Sequence, residues 1–365
     1  MGQFAYSSAF AQGDALQEPA VPSKIARHSL LLDIDRVGER LVAVGERGHV
    51  MLSDDMASSW TQAQVPVRVT LTSSFFIDDQ QGWAVGHDGV VLYTNDGGQQ
   101  WQKQLDGTQA NQLILDHAQQ LQSAAEVALE NAPEDQREQL EMDLENRIFE
   151  AEDAASFIVE GASRPFLGVW FKNDNEGYIS GAFGMFLATT DGGNSWSSVA
   201  ERIDNTEGFH LNAIIPIGEQ LFIVAESGGL YRSDDLGQSW KPLASPYEGS
   251  FFGINGDGQG QLIAYGLRGN AFISLDNGDS WKAIETATKT TLFSSTRLDD
   301  GSTLLMGNSG IILQVDAQGR LLQTSSSQRK LPISAAITIG AGKLVTAGFG
   351  GLQTHNTTDI LAGAK

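Results

Sequence analysis

The sequence predicts an all-β fold, a seven-bladed β-propeller, and two observations carry this prediction. First, a glycine beside two predicted short strands recurs at spacings of 41, 95, 44, 41, 41 and 41 residues. Second, a tryptophan stands twelve residues after this glycine in the first five copies, and Leu322 takes its place in the sixth. Because the glycine and the tryptophan recur together at a fixed separation, a chance alignment is excluded. The anchor glycines are Gly48, Gly89, Gly184, Gly228, Gly269, Gly310 and Gly351.

Residues 82–104 show the repeat most clearly. Apolar Trp83, Val85, Val91 and Tyr93 alternate with other residues, as they do in a strand, and Asp96-Gly97-Gly98 marks a turn. The other blades follow the same template. Their predicted ranges, in chain order and with this one included, are 29–65, 67–105, 166–199, 211–243, 251–284, 292–324, and a seventh blade from residue 333.

The predicted organisation is an N-terminal tail or leader remnant at 1–15 and a propeller at 16–358. The seventh repeat stops after its third strand, and LQEPAVP at 16–22 aligns with the outer strand WTQAQVP at 60–66. We therefore expect residues 16–21 to complete the seventh blade, since an outermost strand tolerates Pro19 and Pro22. The alternative is an ordinary flexible N-terminus. A small-x-small pattern at Ala9-Phe10-Ala11 favours an exported, periplasmic protein, with the cytoplasm as the alternative.

The one abnormal interval holds an insertion at residues 108–160, where the apolar period changes from two to 3.6. Two amphipathic helices broken at Asn131-Ala132-Pro133 are predicted, with Pro133 near the start of the second. The segment carries 13 acidic residues against Arg137 and Arg147, so its net charge of −11 is half of the chain's −22. It is either a solvated helical hairpin, or an arm that faces a partner or covers a basic surface.

Composition excludes several functions. The chain of 365 residues has 45 Asp and Glu against 23 Lys and Arg, which argues against nucleic-acid binding. It has no cysteine, its six histidines are scattered, and no segment is apolar enough to span a membrane. We therefore expect no metal and no cofactor. We also expect a monomer.

Five repeats carry the motif S/T-x-D-x-x-x-x-W, which resembles the Asp-box or BNR repeat. Its Asp and Ser/Thr side chains can bond to turn amides, and its Trp can pack between blades. We interpret the motif as structural and expect no chemistry from it. The motif residues are Asp55 and Trp60, Asp96 and Trp101, Asp191 and Trp196, Asp235 and Trp240, and Asp276 and Trp281.

A column of cations predicts a partner-binding surface. About 21 positions before each anchor glycine, nearly every blade carries a basic residue, although the fifth carries Glu248. Two further arginines lie in turns expected on the same face. Such a ring focuses positive potential on the central channel and suits carboxylates. The alternative is that basic residues simply favour solvated loops. The predicted residues are Arg27, Arg47, Arg68, Arg164, His210, Arg268, Lys289 and Lys330.

The alternative function is a glycoside hydrolase of the sialidase type, because Asp-box propellers include sialidases. Arg27, Arg68 and Arg164 could imitate the arginine triad of those enzymes. Tyr247, Glu226, Glu248 and Asp88 could supply the catalytic groups. However, the Arg-Ile-Pro motif that opens sialidase domains is absent near the first inner strand. We therefore predict no catalytic residue.

With the repeat assigned, residues 28–358 resemble the photosystem II stability/assembly factor family of propellers. The segments that carry the resemblance are RLVAVGERGHVMLSDDMASSW, GWAVGHDGVVLYTNDGGQQW and GYISGAFGMFLATTDGGNSW. The resemblance implies a non-catalytic propeller that binds a membrane-protein subunit, partly through an arginine-rich face. We thus expect an assembly factor that recognises an acidic segment of a membrane or envelope protein. The acidic hairpin is not part of the family pattern, and the sixth and seventh repeats lack the Asp-box, so the client need not be photosynthetic.

Overall fold

The computed structural model describes residues 14–363, and within them the predicted propeller is confirmed: seven antiparallel sheets follow one another along the chain. Each sheet is one blade, with its strands in chain order from the central channel outwards. Blades one to six have four strands and blade seven has three. The inner strands of consecutive blades pack together, and β25 of blade seven packs against β1 of blade one, which closes the ring.

The strands of blades one to three are β1 Leu31–Val37, β2 Arg40–Gly45, β3 Val50–Ser53, β4 Thr61–Gln62, β5 Leu71–Phe76, β6 Gly82–Gly86, β7 Val91–Thr94, β8 Gln102–Leu105, β9 Phe166–Phe171, β10 Gly177–Gly181, β11 Phe186–Thr189 and β12 Ser197–Ser198. Those of blades four and five are β13 Leu211–Ile217, β14 Gln220–Ala225, β15 Leu230–Ser233, β16 Lys241–Pro242, β17 Phe251–Gly256, β18 Leu262–Gly266, β19 Ala271–Ser274 and β20 Lys282–Ala283. Those of blades six and seven are β21 Leu292–Arg297, β22 Thr303–Gly307, β23 Ile311–Val315, β24 Leu321–Ser326, β25 Ile333–Gly340, β26 Lys343–Gly348 and β27 Gln353–Asn356.

The second strand of each blade is the most deeply buried element. Strands such as β6, GWAVG, are buried at every residue because neighbouring blades cover both faces of the sheet. Gly86 ends this strand where a Cβ atom would collide with the carbonyl of Thr70, so only glycine fits there. The apolar cores lie between blades. Trp83 of blade two, for example, stacks on Phe171 of blade three with ring centroids 3.4 Å apart.

The prediction that residues 16–21 complete the seventh blade is wrong. Within residues 14–363 this stretch forms no strand and lies against blades one and two. Leu16 is buried beside Val65 and Trp101, and the backbone N–H of Ala20 donates to the carbonyl of Val65 over 2.9 Å. The segment therefore packs beside the outer strand of blade one, whose sequence it matches. It does not supply the fourth strand of blade seven.

A short helix follows the last strand of the seventh blade. Helix α3, which runs over Thr357–Ala362, directly follows β27 and packs against β24 of blade six. Its Ile360 is buried with Leu304, Ile333 and Leu344, in the wedge between blades six and seven. In the Asp-box blades a tryptophan fills the equivalent wedge. Ile360 thus supplies the apolar packing there without providing a fourth strand.

The insertion forms the predicted helical hairpin. Helix α1 runs over Gly107–Glu130 and begins at a capping box made by Asp106 and Gln109, and helix α2 runs over Arg137–Glu160. The second helix begins four residues after Pro133, because one 3-10 turn intervenes. Small residues on both helices, Ala118, Ala151 and Ala154, pack along the seam. No helix in residues 14–363 is long and apolar enough to cross a membrane.

Candidate functional site

The propeller has two chemically different faces. We define the top face as the loops that lead into each innermost strand together with the turns between second and third strands. The bottom face carries the other turns, including those with the Asp-boxes. On the top face each turn contacts the loop leading into the next blade. The N–H of Leu352 in blade seven, for example, donates to the carbonyl of Arg27 over 2.9 Å, so the loops form one continuous surface.

The Asp-box turns of the bottom face are closed by their own side chains. In the fourth blade, the Oδ1 atom of Asp235 accepts from the hydroxyl of Ser233 over 2.8 Å and from the N–H of Ser239 over 2.9 Å. The hydroxyl of Ser239 donates to the other carboxylate oxygen over 2.6 Å. The Ser233 hydroxyl in turn accepts from the N–H of Gly237. The same network recurs in the other motifs, at Asp55, Asp96, Asp191 and Asp276.

The motif tryptophans pack between blades. Trp101 and Trp196 are buried in the cores between blades one and two and between blades two and three, and Trp240 is buried one blade further on. Trp60 and Trp281 are partly buried against the equivalent cores. Every oxygen of these aspartates points into its own turn, so the motifs offer a partner little free chemistry.

The Asp-box carboxylates make stability depend on pH. Hydrogen bonds from the adjacent Ser side chains and backbone hold the pKa of Asp276 at about 2. At Asp235 partial burial raises the pKa, but the hydrogen bonds together outweigh it and hold the pKa at about 2. A folded-state pKa below the unfolded value gives stability that is present above about pH 4 and is lost as pH falls towards 2.

We expect Asp235→Asn to show a smaller loss of stability than the wild type between pH 5 and pH 3 in urea unfolding. Asp299→Asn, at an exposed residue outside the motif, is the control and should behave as wild type. An equal loss in all three proteins would contradict this role.

Five of the eight predicted cations are exposed on the top face. They follow one another around adjacent blades, from the turn of blade five through the loops before blades six, seven and one to the turn of blade one. We call this series the cationic arc. Its predicted members are Arg268, Lys289, Lys330, Arg27 and Arg47.

Two exposed cations that the alignment column missed, Lys24 and Arg329, extend the cationic arc. Each neighbours a predicted residue in the same loop. A search of whole loops, instead of one alignment column, would have found both. Arg47 and Arg268 occupy turn positions with φ of 59° and 58°, and other blades place Asp88, Phe183, Ser227 and Ser309 in the same conformation. The turn type therefore fixes the backbone, while the side chain at its tip varies between blades.

Arg164 is wrongly predicted as an exposed partner-binding residue. Its side chain is only 5% exposed because the base of the hairpin covers it. The guanidinium donates to Oδ1 of Asn111 over 2.7 Å and lies 3.6 Å above the ring of Phe157. Burial lowers its pKa to about 10, so the group remains charged at neutral pH. Arg164 therefore anchors the hairpin to the ring.

Two further predicted residues already have acidic partners. Arg68 is half-buried and forms an ion pair with Glu18 of the N-terminal stretch. His210 is half-buried, lies 3.9 Å from the carboxylate of Glu226, and packs edge-on against Phe183. The exposed cationic surface is therefore an arc over blades five, six, seven and one, and not a complete ring.

The other half of the top face is acidic. Exposed carboxylates occupy the loops that lead into blades four and five, and the hairpin occupies the loop before blade three. The top face is thus electrically polarised across the channel. The column of basic residues did not show this polarity, because it leaves out the acidic residues of the same loops. The acids of the two loops are Glu201, Asp204, Glu207 and Glu248.

The hairpin does not cover the cationic arc in this structure. Helix α1 packs beside β12, the outer strand of blade three, and the imidazole of His117 lies 3.0 Å from the carboxylate of Glu201. In the part of the chain that the structure describes, no ion pair joins a hairpin acid to a member of the cationic arc.

The groups that could have formed a sialidase site are engaged separately. The guanidinium of Arg27 donates to His28, whereas Arg68 pairs with Glu18 and Arg164 is buried. Asp88 belongs to blade two, Glu226 to blade four, and Tyr247 and Glu248 to the loop before blade five. The structure therefore shows no arginine triad made from these three residues.

One partly buried acidic pair was not predicted from the sequence. Asp33 and Asp35 lie between the innermost strands of blades one and two. There Asp33 accepts from the N–H of Ser74 over 2.9 Å and Asp35 accepts from the hydroxyl of Ser74 over 2.5 Å. Burial raises the pKa of both carboxyls, and the charge of Asp33 raises that of Asp35 further. Two acids at alternate positions of an inner strand, in LLDIDRV, were the available signal.

The fold and its turns define the class: a seven-bladed Asp-box propeller with a helical insertion. The chain belongs to the family described as "Photosynthesis system II assembly factor YCF48", whose model matches residues 52–122 and 158–334. The family suggested by the three repeat segments is thereby confirmed.

Individual relatives are distant. The chain is 27% identical over 197 residues to the Photosystem II assembly lipoprotein Ycf48 of Prochlorococcus marinus, which is 42% of this chain and 58% of that protein. It is 23% identical over 296 residues to the chloroplastic Photosystem II stability/assembly factor HCF136 of Arabidopsis thaliana, which is 72% of this chain and 59% of that protein. The chain thus spans less than two thirds of the length of these curated relatives.

Solved structures share the fold. One described as YCF48 bound to D1 peptide superposes with a TM-score of 0.59 at 16% identity, over 90% of this chain and 93% of that one. YCF48 from Cyanidioschyzon merolae gives a TM-score of 0.60 at 14% identity, over 91% and 97%. At these identities the likeness concerns the arrangement of blades alone.

Proposed function

We propose that this protein is a non-catalytic assembly factor, and that its cationic arc binds an acidic segment of a membrane or envelope protein. The observation that carries the proposal is the run of exposed cations over four adjacent blades in a chain with a net charge of −22. Arginine and lysine at loop tips form charge-assisted hydrogen bonds with carboxylates. Because the chain as a whole is strongly acidic, this cluster of exposed cations is where an acidic segment would bind.

The family supports this function at a coarser level. Its named members are photosystem II assembly factors, and one solved relative holds a D1 peptide. Some relatives are named lipoproteins, which supports action on the exported side of a membrane. The client of this chain is defined only by its chemistry, an accessible acidic segment.

The test is a charge reversal with a control of equal net charge. The probe is a fluorescein-labelled hexaglutamate peptide, titrated at low salt by fluorescence anisotropy. We expect the double variant Lys289→Glu and Lys330→Glu to weaken binding by about tenfold or more, which corresponds to about 1.4 kcal/mol. The wild-type affinity should also fall as salt is added.

The control is Lys241→Glu with Lys282→Glu, on the outer strands β16 and β20, where both lysines are exposed. It makes the same change in net charge away from the top face, so binding should change little. Equal weakening in both double variants would overturn the proposed site. We also expect no fluorophore release from a fluorogenic sialoside, and measurable hydrolysis would overturn the non-catalytic assignment.

A further inference from the structure

Blade seven has an open outer edge. Each of the other six blades has a fourth strand. It pairs with the two residues of the third strand that lie three and four positions after the anchor glycine. In blade one, for example, Met51 pairs with Gln62 and Leu52 with Thr61. In blade seven the same positions are Thr354 and His355 of β27, and within residues 14–363 this sheet has no fourth strand. The pairs in blades two to six follow the same register.

The repeat also identifies a backbone acceptor at this edge. In four blades the carbonyl at the second position after the anchor accepts a hydrogen bond from the chain that follows the fourth strand. The N···O distances are 2.8–3.0 Å, and the pairs, with the N–H donor first and the carbonyl acceptor second, are Ala63 and Val50, Val199 and Phe186, Leu243 and Leu230, and Ile284 and Ala271. In blade seven the carbonyl in this register belongs to Gln353. Edge strands with such groups are templates for pairing with another chain.

A cavity of about 610 Å³ lies along this edge, within the size range of ligand sites. One wall is the end of β24 and the residues after it, Ser326 to Gln328, and the other is β27. Helix α3 limits one end through Asp359 and Ile360. Apart from Asp359, the lining side chains carry no charge at neutral pH, since burial lowers the pKa of His355. The cavity therefore presents backbone and small polar groups, as strand addition requires.

The groove is continuous with the cationic arc. A smaller cavity shares Ser327 and Gln353 with the large one and is also lined by Arg329. Lys330 follows in the same turn, where its N–H donates to the carbonyl of Ser327 over 3.0 Å. An extended segment in the groove would consequently reach the cations at the top face.

We propose that an extended segment of a partner protein adds to β27 as the fourth strand of blade seven, with acidic residues at its carboxyl-terminal end beside Arg329 and Lys330. The direction follows from the blade: β27 leads away from the top face, so an antiparallel strand runs towards it. The inference deepens the proposed function and rests on it only for the acidic character of the partner.

The described N-terminal stretch leads away from this edge. The N–H of Ser23 donates to the side chain of Gln62 in blade one over 2.8 Å, and the carbonyl of Ala15 accepts from Arg68 at the start of blade two over 2.8 Å. The first described residues thus lie on the far side of blade one from blade seven. We therefore assign the edge to a partner and use removal of residues 1–13 as a control.

The test uses two labelled peptides of one composition, titrated by fluorescence anisotropy. One has alternating Thr and Val residues followed by three Glu residues, and the other has the three Glu residues first. We expect the first peptide to bind at least fivefold more tightly. Methylation of its Thr backbone nitrogens, which removes donors without changing charge, should weaken binding at least tenfold. Equal affinity of both orders, or no effect of methylation, would overturn strand addition.

The groove is tested by Ser326→Trp, which fills the cavity, with Ser197→Trp on the outer strand of blade three as the matched control. We expect the first variant to lose the Thr-Val peptide and still bind hexaglutamate, and the second to bind both. If Lys289→Glu weakens hexaglutamate binding but Ser326→Trp leaves the affinity for the Thr-Val peptide unchanged, the proposed function stands and strand addition fails. If the peptide binds only after residues 1–13 are removed, the chain's own segment fills the edge and the partner assignment is overturned.

Discussion

Trp83→Ala is expected to lower the free energy of unfolding by about 3–5 kcal/mol, a large fraction of the stability of a typical domain. Trp83 is fully buried on β6, and its ring stacks on Phe171 with planes 7° apart. Its Nε1 donates to the carbonyl of Gly192 in the Asp-box turn of blade three over 3.3 Å. The substitution therefore empties the interface between two blades and removes one of the two donors to that carbonyl, which keeps the Nε2 of Gln104 at 2.9 Å.

The measurement is equilibrium unfolding in urea, followed by circular dichroism and by fluorescence of the remaining tryptophans. Phe349→Ala is the control: its ring is 59% exposed, so the variant should stay within about 0.5 kcal/mol of wild type. A loss below about 1 kcal/mol for Trp83→Ala would show that this interface is not part of the cooperative core.

Removal of the hairpin is expected to strengthen binding of acidic probes without unfolding the propeller. A Cβ atom placed on Gly107 would lie 3.0 Å from the Cα of Ala162, so the two ends of the insertion are adjacent and can be joined by a short Gly-Ser turn. Deletion of residues 108–161 removes a net charge of −11, half of the total. It also exposes Arg164, since Asn111 and Phe157 go with the hairpin.

We expect hexaglutamate affinity at low salt to rise on the order of three- to tenfold, and the gain to shrink at high salt as the charges are screened. The thermal midpoint of the propeller should change by only a few degrees. A control that neutralises hairpin acids in place, by Glu138→Gln, Glu141→Gln and Glu145→Gln, should give a smaller gain in the same direction. Weaker binding after deletion would show instead that the hairpin contributes contacts to acidic ligands.

The repeat made most of the fold predictable. Each copy places an alternating apolar pattern, a glycine and a turn at fixed offsets, and these local requirements are the same in every blade. The helical insertion was equally clear because its period changes. Helix α3 was missed because six residues are too few to show a helical period.

The candidate site was predictable only in part. Arg27, Arg47, Arg268, Lys289 and Lys330 are exposed where the repeat register placed them, because loop positions follow from the repeat. Arg164 lies close to the same column, but its environment is set by Asn111 and Phe157, which lie on the two helices of the insertion. Arg68 was likewise paired by Glu18, fifty positions away in the chain.

The sequence by itself determined the number of blades, the Asp-box turns, the insertion and the family, since these depend on short-range patterns that repeat. Only the tertiary structure decided where the first and last described segments pack. Residues 16–21 pack beside blade one because Leu16 finds a buried place next to Val65 and Trp101 there. Ile360 fills the last wedge, and β27 keeps an open edge within the described residues. These outcomes depend on contacts between segments far apart in the chain, which no local pattern encodes.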